Sequence, residues 1–207
     1  MVRLLIHPLF LLVAAICIWA GAGLYLVVGL LAVLIHESAH AAVAYRFGIR
    51  AKRLTILPFG AAISLDCAML PKRVQAAIYL AGPMSNAAAA IVAGAALWAF
   101  PALFNVLGLF IVANCLTCML NLLPFYPLDG GKVVELFGSR AAKISFWISN
   151  VVFVGLLILG VVWVHFALVL FACCMLFSIH TESRNEYAVT LTKLLEIIHT
   201  NGKDRKN

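Results

Sequence analysis

The sequence predicts an all-α polytopic membrane protein of about six transmembrane helices, with one small membrane-associated β-hairpin after the second. Three observations carry this. Of 207 residues, 65% are hydrophobic and 11% charged, and the mean hydropathy of +1.07 lies far outside the soluble range. Apolar runs of the roughly 20 residues that cross a bilayer follow one another from Leu4 to His180. All 15 Lys and Arg residues fall on one side of those runs.

The first run is Leu4 to Ala20. Gly21-Ala22-Gly23 then serves as a short turn, although Met1-Val2-Arg3, the apolar stretch and Ala20-Gly21-Ala22 also fit a secretory signal with a small-residue cleavage site. The second run, Leu24 to Tyr45, ends on Arg46, Arg50, Lys52 and Arg53. Arg53 to Leu65 is too short and too interrupted for a span: Leu54, Ile56, Ala62, Ile63 and Leu65 flank Pro58-Phe59-Gly60, which predicts a β-hairpin or loop partly immersed in the membrane. The third run is Val74 to Phe100 and the fourth Ala102 to about Leu123. Ile144 to His180 holds two spans with a tight turn near Trp163 to Phe166. Residues 1–181 thus form a membrane domain and residues 182–207 a cytoplasmic tail. In that tail Val189, Leu191, Leu194, Leu195, Ile197 and Ile198 suit an amphipathic helix, and the last seven residues, "NGKDRKN", suit a disordered end.

Cytoplasmic flanks are enriched in Lys and Arg. With the N-terminus inside, the turns near Gly21, Pro101 and Trp163 carry no basic residue, and both termini are cytoplasmic in a bacterial cytoplasmic-type membrane. The net charge of +7 then reports topology and attraction to the lipid bilayer, with no nucleic-acid partner. Five of the six cysteines lie in apolar runs as packing residues. Cys115-x-x-Cys118 has the spacing of a zinc or redox pair but lacks a second pair and sits inside a predicted helix.

Ionisable groups at membrane depth are costly and are functional candidates by default, and the second run holds three within five residues, His36, Glu37 and His40. Histidines four positions apart project from one helical face one turn apart and can share a tetrahedral zinc. A carboxylate beside them can accept a proton from water activated there, which is the logic of the His-Glu-x-x-His arrangement in zinc metalloproteases. From the helical rise, the pair lies roughly 9 to 15 Å below the cytoplasmic edge at Arg46, so water must enter from that side. Hydrogen-bonded core histidines are the bland alternative.

Hydrolytic zinc takes three protein ligands. Asp66, Glu135 and the acidic residues of the tail lie in loops or beyond the spans, whereas Asp129 sits in "NLLPFYPLDGG", Asn121 to Gly131, directly after the fourth run. Pro124 and Pro127 break the helix there, Gly130-Gly131 frees the backbone, and such irregular chain at membrane depth needs cover from protein or water. Asp129 is therefore the third-ligand candidate; a capping aspartate in a helix-ending turn is the other reading.

The combination of His36-Glu37-Ser38-Ala39-His40 with Asn121 to Gly130 resembles the intramembrane site-two proteases, and within them the sporulation stage IV type that releases a sigma-factor precursor from the membrane. "HPLF" at His7 to Phe10, "RLTILPFGAAISL" at Arg53 to Leu65, "AGPMSN" at Ala81 to Asn86 and "PLDGGK" at Pro127 to Lys132 extend the likeness from His7 to Thr181. The resemblance implies one Zn2+ ion held by His36, His40 and Asp129, with Glu37 as general base and Asn121 positioning the substrate. It also implies a re-entrant hairpin between the second and third helices. An unpaired edge there would add a substrate strand through main-chain hydrogen bonds, making Pro58, Phe59 and Gly60 substrate-binding candidates. Asn86 is a weaker one, equally suited to a helix-helix hydrogen bond. His7, His165, His180 and His199 lack a partner at ligand spacing and are expected to pack or sit at the interface.

The expected activity is that of a zinc endopeptidase cutting a membrane-tethered protein near the cytoplasmic face. A sigma-factor precursor comes first and an anti-sigma factor or other tethered regulator next, and inhibitory membrane-protein partners are a further class. Many members have Leu-Gly in place of Ser38-Ala39, and small residues still allow close helix packing. Proteases of the sporulation type often carry a nucleotide-sensing domain after the membrane part, and none is expected within these 207 residues. A metal or proton transporter would need ionisable groups along both halves of a pathway, and the extracytoplasmic half is nearly bare. A proteolytically silent homologue that holds a membrane partner is the remaining alternative.

Overall fold

The computed structural model describes residues 3–51, 53–57, 60–67, 70–164 and 168–180. The predicted tail, His165, His199, Pro58 and Phe59 lie outside them. The chain divides into two compact units that meet in sequence at Ser145 and Phe146.

The first unit opens with a departure from the sequence expectation. The run from Leu4 to Ala20 is not one helix: Arg3–Ile6 is a strand, β1, and Pro8–Trp19 a helix, α1. Pro8 is the cause, because the residue before a proline is pushed to extended backbone while proline itself suits the first helical position. His7 is extended, and its Nδ1 caps α1 by accepting from Leu9 N at 3.2 Å. At 12 residues α1 is about 18 Å long, too short to cross a bilayer unaided.

Gly21 turns the chain with φ +73° into α2, Gly23–Arg46. Its end is a Schellman turn: Gly48 is left-handed at φ +82°, Ile49 N donates to Ala44 O and Gly48 N to Tyr45 O, so the last carbonyls are satisfied. The hairpin follows as β2, Arg53–Leu57, and β3, Gly60–Ser64. They pair antiparallel, and β1 pairs parallel to β2, giving the order β1-β2-β3. A parallel pair needs a crossover, and α1 with α2 supplies it. The sequence reading missed this third strand, and β3 is left as one edge of the sheet.

Helix α3 is Lys72–Ala99, joined by a short turn at Pro101–Leu103 to α4, Phe104–Leu122. Leu123 is extended, a loop containing the cis Tyr126–Pro127 bond follows, and α5, Asp129–Glu135, leads to α6, Ser139–Val162. Helices α2, α3 and α4 pack on one another. On α2 the buried stripe is Val28, Ala32, His36, His40 and Ala44, one residue in four, the spacing of a single helical face.

The second unit holds the remainder of α6 and a helix α7, Leu168–His180. Val164 turns the chain with φ +55° inside the predicted Trp163 to Phe166 turn. A side chain at Gly160 would meet Val169 Cγ2 at 2.9 Å, so glycine lets the two helices approach. Among the described residues, α2, α3, α4 with its leading turn, and α6 are long and apolar enough to cross a membrane. Their outward faces carry bare apolar side chains, and Trp98 near the end of α3 is 88% exposed, as lipid-facing surfaces require.

Candidate metal centre

His36 and His40 point from the buried stripe of α2 toward the start of α5. Pro124 cannot continue α4, and the loop after it brings Asp129 back over α2. There Asp129 Oδ2 lies 2.8 Å from His36 Nε2 and 3.1 Å from His40 Nε2, and the two Nε2 atoms are 3.1 Å apart. Three tetrahedral donors around one zinc, each about 2.0 to 2.1 Å from it, stand roughly 3.3 Å from one another. The triangle is of that size, and all three residues are buried.

The far sides of the imidazoles decide what this triangle contains. His36 Nδ1 lies 2.7 Å from Asn86 Oδ1, and His40 Nδ1 lies 2.7 Å from the carbonyl of Ile78. Both partners are acceptors, so each Nδ1 is a donor and each neutral ring turns a lone pair on Nε2 inward. Two imidazole lone pairs and a carboxylate oxygen then converge without a donor among them, which is a cation site. The donor set of two His and one carboxylate, with outer hydrogen bonds orienting the rings, fits zinc.

Glu37, between the two histidines in sequence, is also buried, and its Oε2 accepts from Ile63 N of β3 at 3.0 Å. That amide points to the open edge of the sheet. Beside it lies a cavity of 280 Å³ bordered by Leu34, Glu37, Ser38 and Ala41 of α2 and by Leu54 and Ile63 of the sheet.

The glycines at the site serve close approach. A side chain at Gly82 would lie 2.6 Å from His40 Cε1 and 2.7 Å from His36 Cε1. One at Gly130 would meet Leu122 C at 2.6 Å, and one at Gly131 would meet Phe125 C at 2.5 Å. Gly130 and Gly131 are helical, so they are needed for space and not, as the sequence suggested, for unusual backbone angles. Asn121 is half-buried, with its Nδ2 donating to Thr117 O at 2.9 Å. Gly60 begins β3. Cys115 and Cys118 are free.

Sequence reasoning missed Asn114, fully buried on α4; an asparagine inside an apolar run was the signal available. It also missed Gly82 as a contact of the ligands and Ile63 as the partner of Glu37. Replacing Asp129 with alanine is expected to weaken zinc binding by more than the roughly 10–100-fold that outer-sphere changes cost. Competition with a chromophoric chelator would measure it, and unchanged affinity would remove Asp129 from the site.

The chain is similar to known proteins in sequence and in fold. Residues 24–102 match the model of peptidase family M50. The chain is 34% identical over 140 residues to stage IV sporulation protein FB of Bacillus subtilis, covering 65% of this chain and 47% of that protein. It is 27% identical over 170 residues to zinc metalloprotease MJ0392 of Methanocaldococcus jannaschii, covering 78% of this chain and 50% of that one. The chain therefore spans about half the length of these curated relatives. In fold it is similar to the solved site-2 protease from Methanocaldococcus jannaschii, with a TM-score of 0.75 at 23% identity, over 87% of this chain and 90% of that one. Two histidines and an aspartate placed to hold a metal ion inside an apolar bundle of that fold, together with the match of residues 24–102, make the chain similar to peptidase family M50.

Proposed function

We propose that the protein is an intramembrane zinc endopeptidase that cuts a membrane-tethered protein near the cytoplasmic face. The observation that carries this is the closed triangle of His36, His40 and Asp129 with a buried carboxylate, Glu37, next to it. Zinc, when bound, supplies the Lewis acidity that amide hydrolysis needs. Glu37 takes the proton of the attacking water and returns it to the leaving amine.

A helix hides its carbonyls in its own hydrogen bonds, so the scissile segment must be extended. The open edge of β3 supports an added strand, whose side chains on the α2 side would enter the cavity beside Glu37. Gly60, and with it Pro58 and Phe59, would then border the substrate, and Asn121 would meet it from the end of α4. The substrate is a tethered regulatory protein, with a sigma-factor precursor as first candidate, in keeping with the similarity to a stage IV sporulation protein. Basic residues in the loop after α2 and, beyond α4, at Lys132, Arg140 and Lys143 support a cytoplasmic location for both termini and for the entry of water.

Co-expression or reconstitution with single-span candidate substrates tests the activity. A product that disappears on zinc chelation and returns with added zinc is expected; processing that is indifferent to chelation would sink the reading. Ile63→Pro, which removes the N–H that Glu37 accepts from and that an added strand would share, at an edge where proline is tolerated, is expected to lower cleavage by about tenfold with zinc content unchanged, the worth of roughly one hydrogen bond. Native cleavage by that variant would mean that this N–H neither positions Glu37 nor receives the substrate strand.

A further inference from the structure

We propose that Asn114 is a positioning residue of the metal site, acting through Asn86 to lock the tautomer of His36. The inference rests on the zinc-site reading and adds to it a device on two other helices. Asn86 and Asn114 are fully buried, on α3 and α4. Polar side chains at such a depth are costly unless they are paired.

Their directions follow from the backbone. Asn114 Nδ2 lies 2.9 Å from the carbonyl of Phe110. A carbonyl only accepts, so the amide nitrogen must face it and Asn114 Oδ1 must face the other way. That oxygen receives Asn86 Nδ2 at 2.8 Å, and Asn86 Nδ2 also reaches the carbonyl of Ala32 at 2.9 Å. Both protons of the Asn86 amide are thus used, and its Oδ1 is the atom left for His36 Nδ1 at 2.7 Å. Every link runs one way: Phe110 O and Ala32 O accept from the asparagines, Asn114 accepts from Asn86, and Asn86 accepts from His36.

The consequence appears at the far end of the ring. His36 is obliged to carry its proton on Nδ1 and to offer a lone pair on Nε2 to the metal. A flipped Asn86 would oppose its oxygen to two acceptors, Ala32 O and Asn114 Oδ1, and would turn its NH2 toward His36. The ring would then have to accept at Nδ1 and protonate Nε2, closing the ligand position. Ala32 O supplies one half of the lock and Asn114 the other. Asn114 touches no ligand, so its effect is transmitted wholly through Asn86.

The test is zinc affinity by chelator competition on the full chain in detergent, with the melting temperature of the metal-free protein recorded beside it. Asn114→Leu, similar in size and unable to accept, is expected to raise the zinc Kd by about tenfold, the lower end of outer-sphere effects, and to change the visible spectrum of the cobalt-loaded protein. Asn114→Asp is expected to bind zinc as the native chain does, because a neutral carboxyl can donate to Phe110 O and still accept from Asn86. Native affinity in Asn114→Leu would overturn the proposal, as would equal losses in both variants. Independently of whether either variant folds, 15N shifts of His36 in the metal-free native protein are expected to show the proton on Nδ1, and a proton on Nε2 would also overturn it. A native chain that binds no zinc would instead bring down the metal site itself, while the 15N result still decides the lock.

Discussion

Replacing Glu37 with glutamine is expected to lower cleavage by about 10²- to 10⁴-fold, the range a positioned general base contributes, while one zinc per chain is retained. Glutamine has nearly the shape of glutamate, and its amide oxygen can still accept from Ile63 N, which Glu37 holds at 3.0 Å. The three ligand atoms belong to other residues, so metal content has no reason to change. What is lost is the carboxylate as a proton acceptor. Metal analysis and product formation, measured on the same purified sample, separate the two effects. Processing at the native rate would take the base assignment away from Glu37, and loss of zinc would show that the carboxylate helps to hold the metal.

Gly82→Ala is expected to abolish zinc binding and cleavage together, although alanine is the better helix former by about 1 kcal/mol. The added carbon would fall within 2.6 Å of His40 Cε1 and 2.7 Å of His36 Cε1, closer than non-bonded atoms approach. Either α3 retreats from α2 or both rings swing out of the triangle, and in each case the outer bonds from His36 to Asn86 and from His40 to Ile78 O are lost with the site. The same change at Gly94, on the same helix, would put its Cβ in open space and serves as the control. A Gly82→Ala protein with native zinc content would mean that α3 does not pack against the ligands as described.

How much could be read before folding varies from residue to residue. His36 and His40 are visible because a local period of four places them on one face whatever surrounds the helix. Asp129 stands out as a carboxylate that follows an apolar run among residues that break helices. The hairpin after α2 shows in its short alternating pattern around Pro58-Phe59-Gly60. Leu4-Leu5-Ile6 is different, because a short apolar run reads equally well as strand or helix. Its partner is Leu54 to Ile56, about fifty residues away.

The sequence by itself determined that the chain is a membrane protein, that α2 carries a pair of candidate ligands with a carboxylate beside them, and that a broken segment after α4 offers a third candidate. Each of these depends on composition or on spacing within one segment, which survive without knowledge of neighbours. Only the tertiary structure decided that the three donors meet, that Gly82 must lack a side chain for them to do so, that Ile63 N bonds to Glu37, and that Asn86 bridges His36 and Asn114. Those outcomes depend on the separation and rotation of different helices and on the position of a strand edge. Such quantities are settled by packing of the whole bundle and leave no periodic trace along the chain.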